Sequence, residues 1–190
     1  MLLGQKIIAI GASTGGVDAL EKILVWFQLP MPPILIAIHM PAGMTRLFAN
    51  RLDEIVKMDV KEAENGDIVK PDHVYIAPAG KHMKVVNRLN KLTLECFAGA
   101  KVNHVIPSAD VLFESLASLA KKSAVGVILT GIGADGAKGL MEMRNQGAAT
   151  IGQDEKTSVV YGMPKVAMEM GAVQHQLPLN MIADKILSFI

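Results

Sequence analysis

The sequence predicts one doubly wound α/β domain, a mostly parallel sheet with helices on both faces and a β-hairpin excursion in the middle third. Apolar runs typical of strands buried on both faces alternate with helical patterns. The 190 residues suffice for one sizeable core, and a composition of 51% apolar and 19% charged residues argues against disorder. No repeat, low-complexity tract or linker marks a domain boundary.

The first third of the chain contains two strand–helix units. An apolar run from Ile7 to Ile10 meets a glycine-rich turn, and an amphipathic helical pattern follows at once. The run ILIAI (34–38) predicts the second strand, and MTRLFANRLDEIV (44–56) predicts the second helix. The apolar residues expected on one side of that helix are Leu47, Leu52, Ile55 and Val56.

The middle third has a different rhythm. Three short strand candidates, HVYIA (73–77), MKVV (83–86) and KLTLECF (91–97), are separated by the turn signals PAGK and NRLN. We therefore expect this region to leave the main sheet as a hairpin.

The α/β alternation then resumes. A helix over 108–122 begins with Ser108 as its cap, directly after Pro107. The remaining predicted elements are a strand at 124–130, a helix at 137–146, a strand at 148–152, and helices near 162–170 and 178–189.

Charge and cysteine content exclude several function classes. With 19 basic and 18 acidic residues, nothing indicates a partner such as nucleic acid or an anionic membrane surface. No apolar run approaches the ~20 residues that cross a bilayer, so we expect no membrane insertion. The single cysteine, Cys96, cannot form an intramolecular disulfide, and no secretory pattern opens the chain. These features predict a cytoplasmic protein.

The first glycine-rich turn could serve a nucleotide or a nucleophile. In a dinucleotide fingerprint counted from Gly11, the second glycine position is occupied by Ser13. His39 replaces the acidic residue expected after the second strand, and no Walker A loop occurs. The same turn spells G-x-S-x-G, the pattern of a nucleophile elbow that exposes Ser13 Oγ and aims the Thr14 N–H at an oxyanion. In the alternative, Ser13 or Thr14 only caps the helix.

Two further residues could complete a hydrolytic site with Ser13. His39 ends the second predicted strand, so it should share one sheet edge with Ser13 and serve as its base. Asp135 lies in VILTGIGADGAKG, between a buried strand and a helix, and could orient the imidazole. The alternative for Asp135 is an N-cap of the following helix, and the weaker rivals for its role are Asp18 and Asp154.

The other titratable candidates favour structural roles. Cys96 shares a strand face with Leu92 and Leu94, which indicates a core position. The remaining histidines, which lack the spacing of metal ligands, are His73, His82, His104 and His175. We therefore expect no metal site.

Together, several motifs resemble the catalytic domain of the chemotaxis protein-glutamate methylesterase family, CheB. The motifs are IGASTGG around Ser13, IHMP around His39, LTGIGADGA around Asp135, PSADVLFESLA (107–117) and QDEKTSVVYGMP (153–164). The resemblance runs from about residue 6 to the C-terminus. It implies a Ser13–His39–Asp135 triad that hydrolyses glutamyl methyl esters and deamidates certain glutamines on chemoreceptors, without a metal or organic cofactor. Ile132 stands where the family often has Met, and its backbone N–H is the second oxyanion candidate.

The resemblance also bears on domains and partners. Family members usually carry an N-terminal receiver domain, and this chain starts directly at the hydrolase strand. We therefore expect residues 1–190 to form a single catalytic domain, either excised from a longer protein or free of phospho-control. The implied partners are the cytoplasmic helices of methyl-accepting receptors and, for an excised domain, its receiver domain. The competing hypotheses are an inactive receptor-docking adaptor and a nucleotide-binding module.

Overall fold

The computed structural model describes residues 6–190, which form nine strands and six α-helices. The strands are β1 (Ile7–Ala12), β2 (Ile34–Ile38), β3 (Asp59–Glu62), β4 (His73–Ile76), β5 (His82–Arg88), β6 (Lys91–Phe97), β7 (Ala124–Ile128), β8 (Ala149–Gln153) and β9 (His175–Leu177). The helices are α1 (Gly16–Leu24), α2 (Met44–Ile55), α3 (Ala109–Leu119), α4 (Ala137–Asn145), α5 (Met163–Glu169) and α6 (Leu179–Leu187). A 3₁₀ turn, Lys121–Ser123, links α3 to β7.

Seven strands form one parallel sheet in the order β3-β4-β2-β1-β7-β8-β9, and β5 and β6 form a separate antiparallel hairpin. The chain builds outward from β1 to one edge and then crosses to β7 to build the other half. The connections therefore diverge at β1, which is the topological switch point where sites form in such sheets. The predicted doubly wound α/β class is confirmed.

Alternate side chains of β1 serve two different cores. Ile7 and Ala9 face the layer that contains α3, α4 and α5. Ile8 and Ile10 face the layer that contains α1, α2 and α6. All four are fully buried, and each isoleucine contributes roughly 1.5–3 kcal/mol by leaving water. This packing on both faces fixes the strand whose end carries Ser13.

The predicted apolar side of α2 is partly wrong. Leu47 is 61% exposed and Ile55 is 47% exposed, whereas Leu52 is buried. Leu47 and Leu52 are five positions apart, which is about 140° around the helix at 3.6 residues per turn, so they cannot share one buried stripe. The residues that face the sheet are Thr45, Phe48, Ala49 and Leu52.

The middle third leaves the main sheet later than predicted. The first four residues of HVYIA form β4, an inner strand of the parallel sheet between β3 and β2, and only β5 and β6 form the hairpin. The hairpin packs on α3, where the Val85 N–H donates to Ser115 Oγ at 3.0 Å. The edge strands β3 and β9 were not predicted, because neither short segment carries a continuous apolar run. Within residues 6–190, no helix has both the length and the apolar character needed to cross a bilayer.

Candidate active site

Three adjacent strands bring the candidate residues to one edge of the sheet. Ser13 follows β1 directly and His39 follows β2 directly. Asp135 lies in the turn between β7 and α4. Because β1 pairs with both β2 and β7 in parallel register, all three positions lie at carboxyl ends around the switch point.

The serine turn, residues 13–15, is held by its backbone. The Ser13 N–H donates to the Thr130 carbonyl at 3.0 Å, and the Gly16 N–H donates to the Ser13 carbonyl at 2.7 Å. Gly15 is the N-cap of α1 in a left-handed conformation, with φ 80°, and no side chain caps this helix. The alternative in which Ser13 or Thr14 caps α1 is therefore wrong. Among the described residues, Ser13 Oγ makes no hydrogen bond, so its hydroxyl is unengaged.

His39 is held by hydrogen bonds of both its backbone and its ring. Its backbone N–H donates to the Ala12 carbonyl at 3.1 Å, which places it beside Ser13. Its ring Nε2 lies 2.8 Å from Asp135 Oδ2. The side chains of His39 and Asp135 are 13% and 2% exposed, so the pair is well shielded from water.

This contact decides which ring nitrogen of His39 is available as a base. An ionised carboxylate only accepts hydrogen bonds, so Nε2 carries the proton and the lone pair of the neutral ring lies on Nδ1. The roles of the two nitrogens are thus the reverse of those in the well-known serine protease triad. Ser13 Oγ does not reach His39 within hydrogen-bond distance in the described residues, and such bonds often tighten only when substrate binds.

The carboxylate of Asp135 is surrounded by hydrogen-bond donors. Besides His39 Nε2, its donors are Ser108 Oγ at 2.5 Å, the Ala109 N–H at 2.7 Å, Asn103 Nδ2 at 3.1 Å and the Asp110 N–H at 3.4 Å. Burial alone would raise the pKa of Asp135, but these hydrogen bonds outweigh it and lower the pKa below its ordinary value. The carboxylate therefore stays ionised beside His39.

The predicted alternative, in which Asp135 caps the helix that follows it, is wrong. The N-cap of α4 is Gly136, without a side-chain hydrogen bond. Asp135 instead accepts from the first two amides of α3, the Ala109 and Asp110 N–H groups, so the positive end of that helix faces its charge.

A second buried carboxylate, which the sequence reasoning missed, supports this pocket. Asn103 Nδ2 bridges Asp110 Oδ2 at 2.7 Å and Asp135 Oδ1 at 3.1 Å. Asp110 also accepts the Gly139 N–H of α4 at 2.7 Å. Burial, followed by the charge of Asp135, raises the pKa of Asp110 despite these bonds. Asn103 has φ 50°, a left-handed conformation that asparagine tolerates.

The two backbone amides predicted as oxyanion donors, those of Thr14 and Ile132, are free to bind an oxyanion. Among residues 6–190, neither the Thr14 N–H nor the Ile132 N–H has a hydrogen-bond acceptor. The Ile132 side chain is 65% exposed, so its replacement of the family's methionine leaves the backbone donor unaffected. Unpaired amides at a strand-to-helix turn are well suited to a developing negative charge.

Gly131 is expected to be required for the position of Ser13. A Cβ at residue 131 would clash with Met163 Sδ and would lie 2.6 Å from Ser13 Cβ and 3.1 Å from Ser13 N, so Gly131→Ala must displace the serine turn as well as the Met163 side chain. A displacement near 1 Å costs roughly 10²-fold in turnover. We expect a loss of that order in steady-state hydrolysis of an ester substrate.

Gly126→Ala in β7 is the matched control, since its added methyl meets only the flexible side chains of Leu140 and Met143. It should cost stability without an equal loss of turnover per folded molecule. Equal turnover of the two variants would contradict the steric argument.

The remaining predicted candidates lie outside this constellation. Asp18 is exposed on α1, and Asp154 accepts from Thr157 instead of a histidine.

Cys96 is buried, as predicted, and burial raises the pKa of its thiol to about 11, which makes it inert. His82 is structural, because it contacts the Ala100 carbonyl and the Ser108 N–H. Within residues 6–190, no cluster of three His, Cys, Asp or Glu side chains is placed to hold a metal ion.

A shallow surface depression of about 300 Å³ adjoins His39, and its other lining residues include Lys101 and His104. A second depression of about 400 Å³ lies between α1 and α6, beside Trp26 and Leu179. We place the candidate site at the first, because it is lined by His39, which pairs with Asp135, whereas neither residue lines the second.

Comparison with known proteins shows what the whole chain is similar to. The family model described as CheB methylesterase matches residues 8–186. The protein-glutamate methylesterase/protein-glutamine glutaminase 2 of Syntrophomonas wolfei is 50% identical over 184 residues, covering 97% of this chain and 54% of that protein. The protein-glutamate methylesterase/protein-glutamine glutaminase of Escherichia coli O157:H7 is 46% identical over 188 residues, covering 99% and 54%. The chain thus spans about half the length of the curated relatives it matches.

A solved structure supports the same fold. The crystal structure of the Thermotoga maritima CheB methylesterase catalytic domain superposes with a TM-score of 0.95 at 38% sequence identity. The match covers 98% of this chain and 99% of that one. The likeness therefore extends over the sheet, both helical layers and the hairpin.

Proposed function

Because this chain belongs to the CheB methylesterase family, we propose that it is a serine hydrolase acting on receptor side chains. It hydrolyses glutamyl methyl esters on methyl-accepting chemotaxis receptors and deamidates certain receptor glutamines, in chemotactic adaptation. The observation that carries the proposal is the position of Ser13 beside a buried His39–Asp135 pair at the switch point of the sheet. Residues 1–190 form the catalytic domain in this proposal.

In the first half of the reaction, Ser13 becomes acylated. Ser13 Oγ attacks the side-chain carbonyl carbon of the substrate while Nδ1 of His39 accepts its proton. The imidazolium that results is stabilised by the ionised Asp135, 2.8 Å from Nε2. The negative charge on the former carbonyl oxygen is bound by the free N–H groups of Thr14 and Ile132.

The second half restores the enzyme. The tetrahedral intermediate collapses, the bond to the leaving group breaks, and His39 returns its proton, so that methanol or ammonia departs. Water, deprotonated by Nδ1 of His39, then attacks the acyl carbonyl, and Ser13 Oγ leaves with that proton. The products are a glutamate side chain and free Ser13, and no step needs a metal or an organic cofactor.

Selectivity in this proposal comes from the surface around the site. Methanol and ammonia are small, so the leaving group needs no deep pocket, in keeping with the shallow depression beside His39. Lys101 and His104 border this depression and are exposed, so they can contact a receptor helix next to the modified glutamate. The partners are accordingly the cytoplasmic helices of receptors, together with a receiver domain where the natural protein carries one.

The proposal is tested by two measurements on the unaltered chain. Incubation with a methylated receptor fragment should release methanol, and a serine-directed phosphonate should label the peptide that contains Ser13, as read by mass spectrometry. Absence of both would exclude a hydrolase and favour a docking adaptor. Labelling blocked by ATP or NAD, with saturable nucleotide binding, would favour a nucleotide-binding module.

A further inference from the structure

Thr130, two residues beyond β7, holds the serine turn at two points. Its carbonyl accepts the Ser13 N–H at 3.0 Å, and its hydroxyl donates to the Thr14 carbonyl at 2.9 Å. Between these two fixed groups lies the Ser13–Thr14 peptide, whose N–H is one of the two free oxyanion donors. The position of that donor therefore depends on Thr130.

The same hydroxyl also holds the segment that fixes the second donor. Thr130 Oγ1 accepts the Val160 N–H at 2.9 Å, and the Val160 carbonyl accepts the Gly131 N–H at 3.0 Å. Gly131 precedes Ile132, which carries the other free N–H. One buried hydroxyl thus connects the backbones on both sides of the oxyanion position.

Gln153, the last residue of β8, fixes the backbone of Thr130 through a hydrogen bond. Its Oε1 accepts the Thr130 N–H at 2.8 Å, and its Nε2 donates to the Thr157 carbonyl at 2.8 Å. Thr130 and Gln153 are 1% and 0% exposed, so water does not compete for these hydrogen bonds. Segment 157–160 is thereby anchored at both ends, against the serine turn and against β8.

We propose that Thr130 is a positioning residue for the oxyanion donors, with Gln153 holding Thr130 in place. This inference rests on the proposed hydrolase function. Thr130 touches no reacting atom, and it acts by fixing the Thr14 and Ile132 amides where the charge of the tetrahedral intermediate develops. Preorganised donors of this kind act in the transition state, so their loss should lower kcat more than it raises KM.

The chain offers a matched control on the other side of β7. Thr150 in β8 is fully buried, and its hydroxyl likewise donates to one carbonyl, that of Ala172 at 2.7 Å, and accepts one amide, that of Gln174 at 3.1 Å. Its own N–H donates to Gln174 Oε1 at 3.0 Å, as that of Thr130 does to Gln153. Thr150 therefore reproduces the hydrogen bonding of Thr130 without any contact to the serine turn.

The test compares Thr130→Val, Thr130→Ser and Thr150→Val with the unaltered chain. Methanol release from a methylated receptor fragment gives kcat and KM per folded molecule, with a thermal melt of each preparation. We expect Thr130→Val to lose about 10- to 100-fold in kcat, short of the ~10²–10³-fold for outright loss of an oxyanion donor, with KM little changed. Thr130→Ser, which keeps the hydroxyl, should restore most of kcat. Thr150→Val should melt lower but keep its kcat.

Two further readouts separate positioning from general damage. The acid limb of the pH–rate profile should be the same in Thr130→Val and the unaltered chain, because the His39–Asp135 pair is not changed. Phosphonate labelling of Ser13 should slow in parallel with kcat, since the phosphonyl oxygen uses the same donors. If Thr130→Val does not fold, Thr130→Ala replaces it in every measurement, because alanine also removes the hydroxyl and adds no methyl group in its place.

The outcomes discriminate between the two proposals. An unaltered chain that releases no methanol overturns the hydrolase function and this inference with it. An active unaltered chain, with Thr130→Val and Thr150→Val equal in kcat, overturns only the positioning role. A shifted acid limb in Thr130→Val also overturns it, because the effect would then pass through His39.

Discussion

Replacing Ser13 with alanine is expected to abolish methanol release and leave the fold intact. In the proposed mechanism Ser13 Oγ is the nucleophile, and triad members act as a unit, so the loss should reach at least ~10⁴-fold in kcat. Because Ser13 Oγ makes no hydrogen bond within the described residues and caps no helix, its removal should change stability by no more than ~0.5 kcal/mol. The measurements are turnover on a methylated receptor fragment and a thermal melt.

Ser118→Ala is the matched control for this variant. Ser118 is an exposed serine on α3 whose hydroxyl bonds only to the Ser115 carbonyl. It should retain full turnover and full phosphonate labelling at Ser13, whereas Ser13→Ala should show neither. Retention of more than a small fraction of the activity in Ser13→Ala would remove Ser13 from the nucleophile role, even if the fold were unchanged.

The placement of Ser13 and His39 at one sheet edge was predictable because local signals specify it. Each follows a run of apolar residues buried on both faces, and parallel strands end at a common edge. The contact between His39 and Asp135, 96 positions apart, needed a further element, the glycine-rich turn after β7. The strand order implies that His39 and Asp135 lie close together. The sequence does not show which ring nitrogen of His39 faces Asp135.

The parts that sequence reasoning missed depend on tertiary contacts. β3 reads DVKE and is stabilised as an edge strand by pairing with β4, without the apolar run of an inner strand. Asn103 and Asp110 reach Asp135 only because the turn before α3 folds over the end of β7. Gln153 and Thr130 are polar residues at or just beyond the ends of β8 and β7. The rule that singled out His39 would have singled them out too, had it been applied to every strand.

Asp135→Asn is expected to lower stability as well as turnover. An asparagine has one acceptor oxygen, whereas Asp135 accepts five hydrogen bonds on two oxygens, two of them from the α3 backbone. Its amide NH₂ must therefore face donors, which costs about 1–3 kcal/mol of stability. Were Asp135 only an N-cap of α4, the same substitution would have been nearly neutral. The thermal melt should fall by several degrees at neutral pH.

The stability deficit of Asp135→Asn should depend on pH in a definite direction. Because the folded-state pKa of Asp135 is lowered from 3.8, its ionised form stabilises the fold above that value. This stabilisation is lost as the pH falls through the lowered pKa, where the unaltered chain protonates too. The difference between the two melts should therefore be largest near neutral pH and shrink in acid. A constant difference would show that the charge of Asp135 does not contribute.

Turnover of Asp135→Asn should fall far more than stability. Asparagine can favour the wrong His39 tautomer and cannot stabilise the imidazolium, a defect that reaches ~10⁴-fold for the same change in a serine protease. Asp67→Asn is the control, because Asp67 accepts a backbone N–H from Glu64 and pairs with Lys61 away from the site. Near-normal turnover in Asp135→Asn, measured per folded molecule, would restrict Asp135 to holding α3 and leave His39 without its partner.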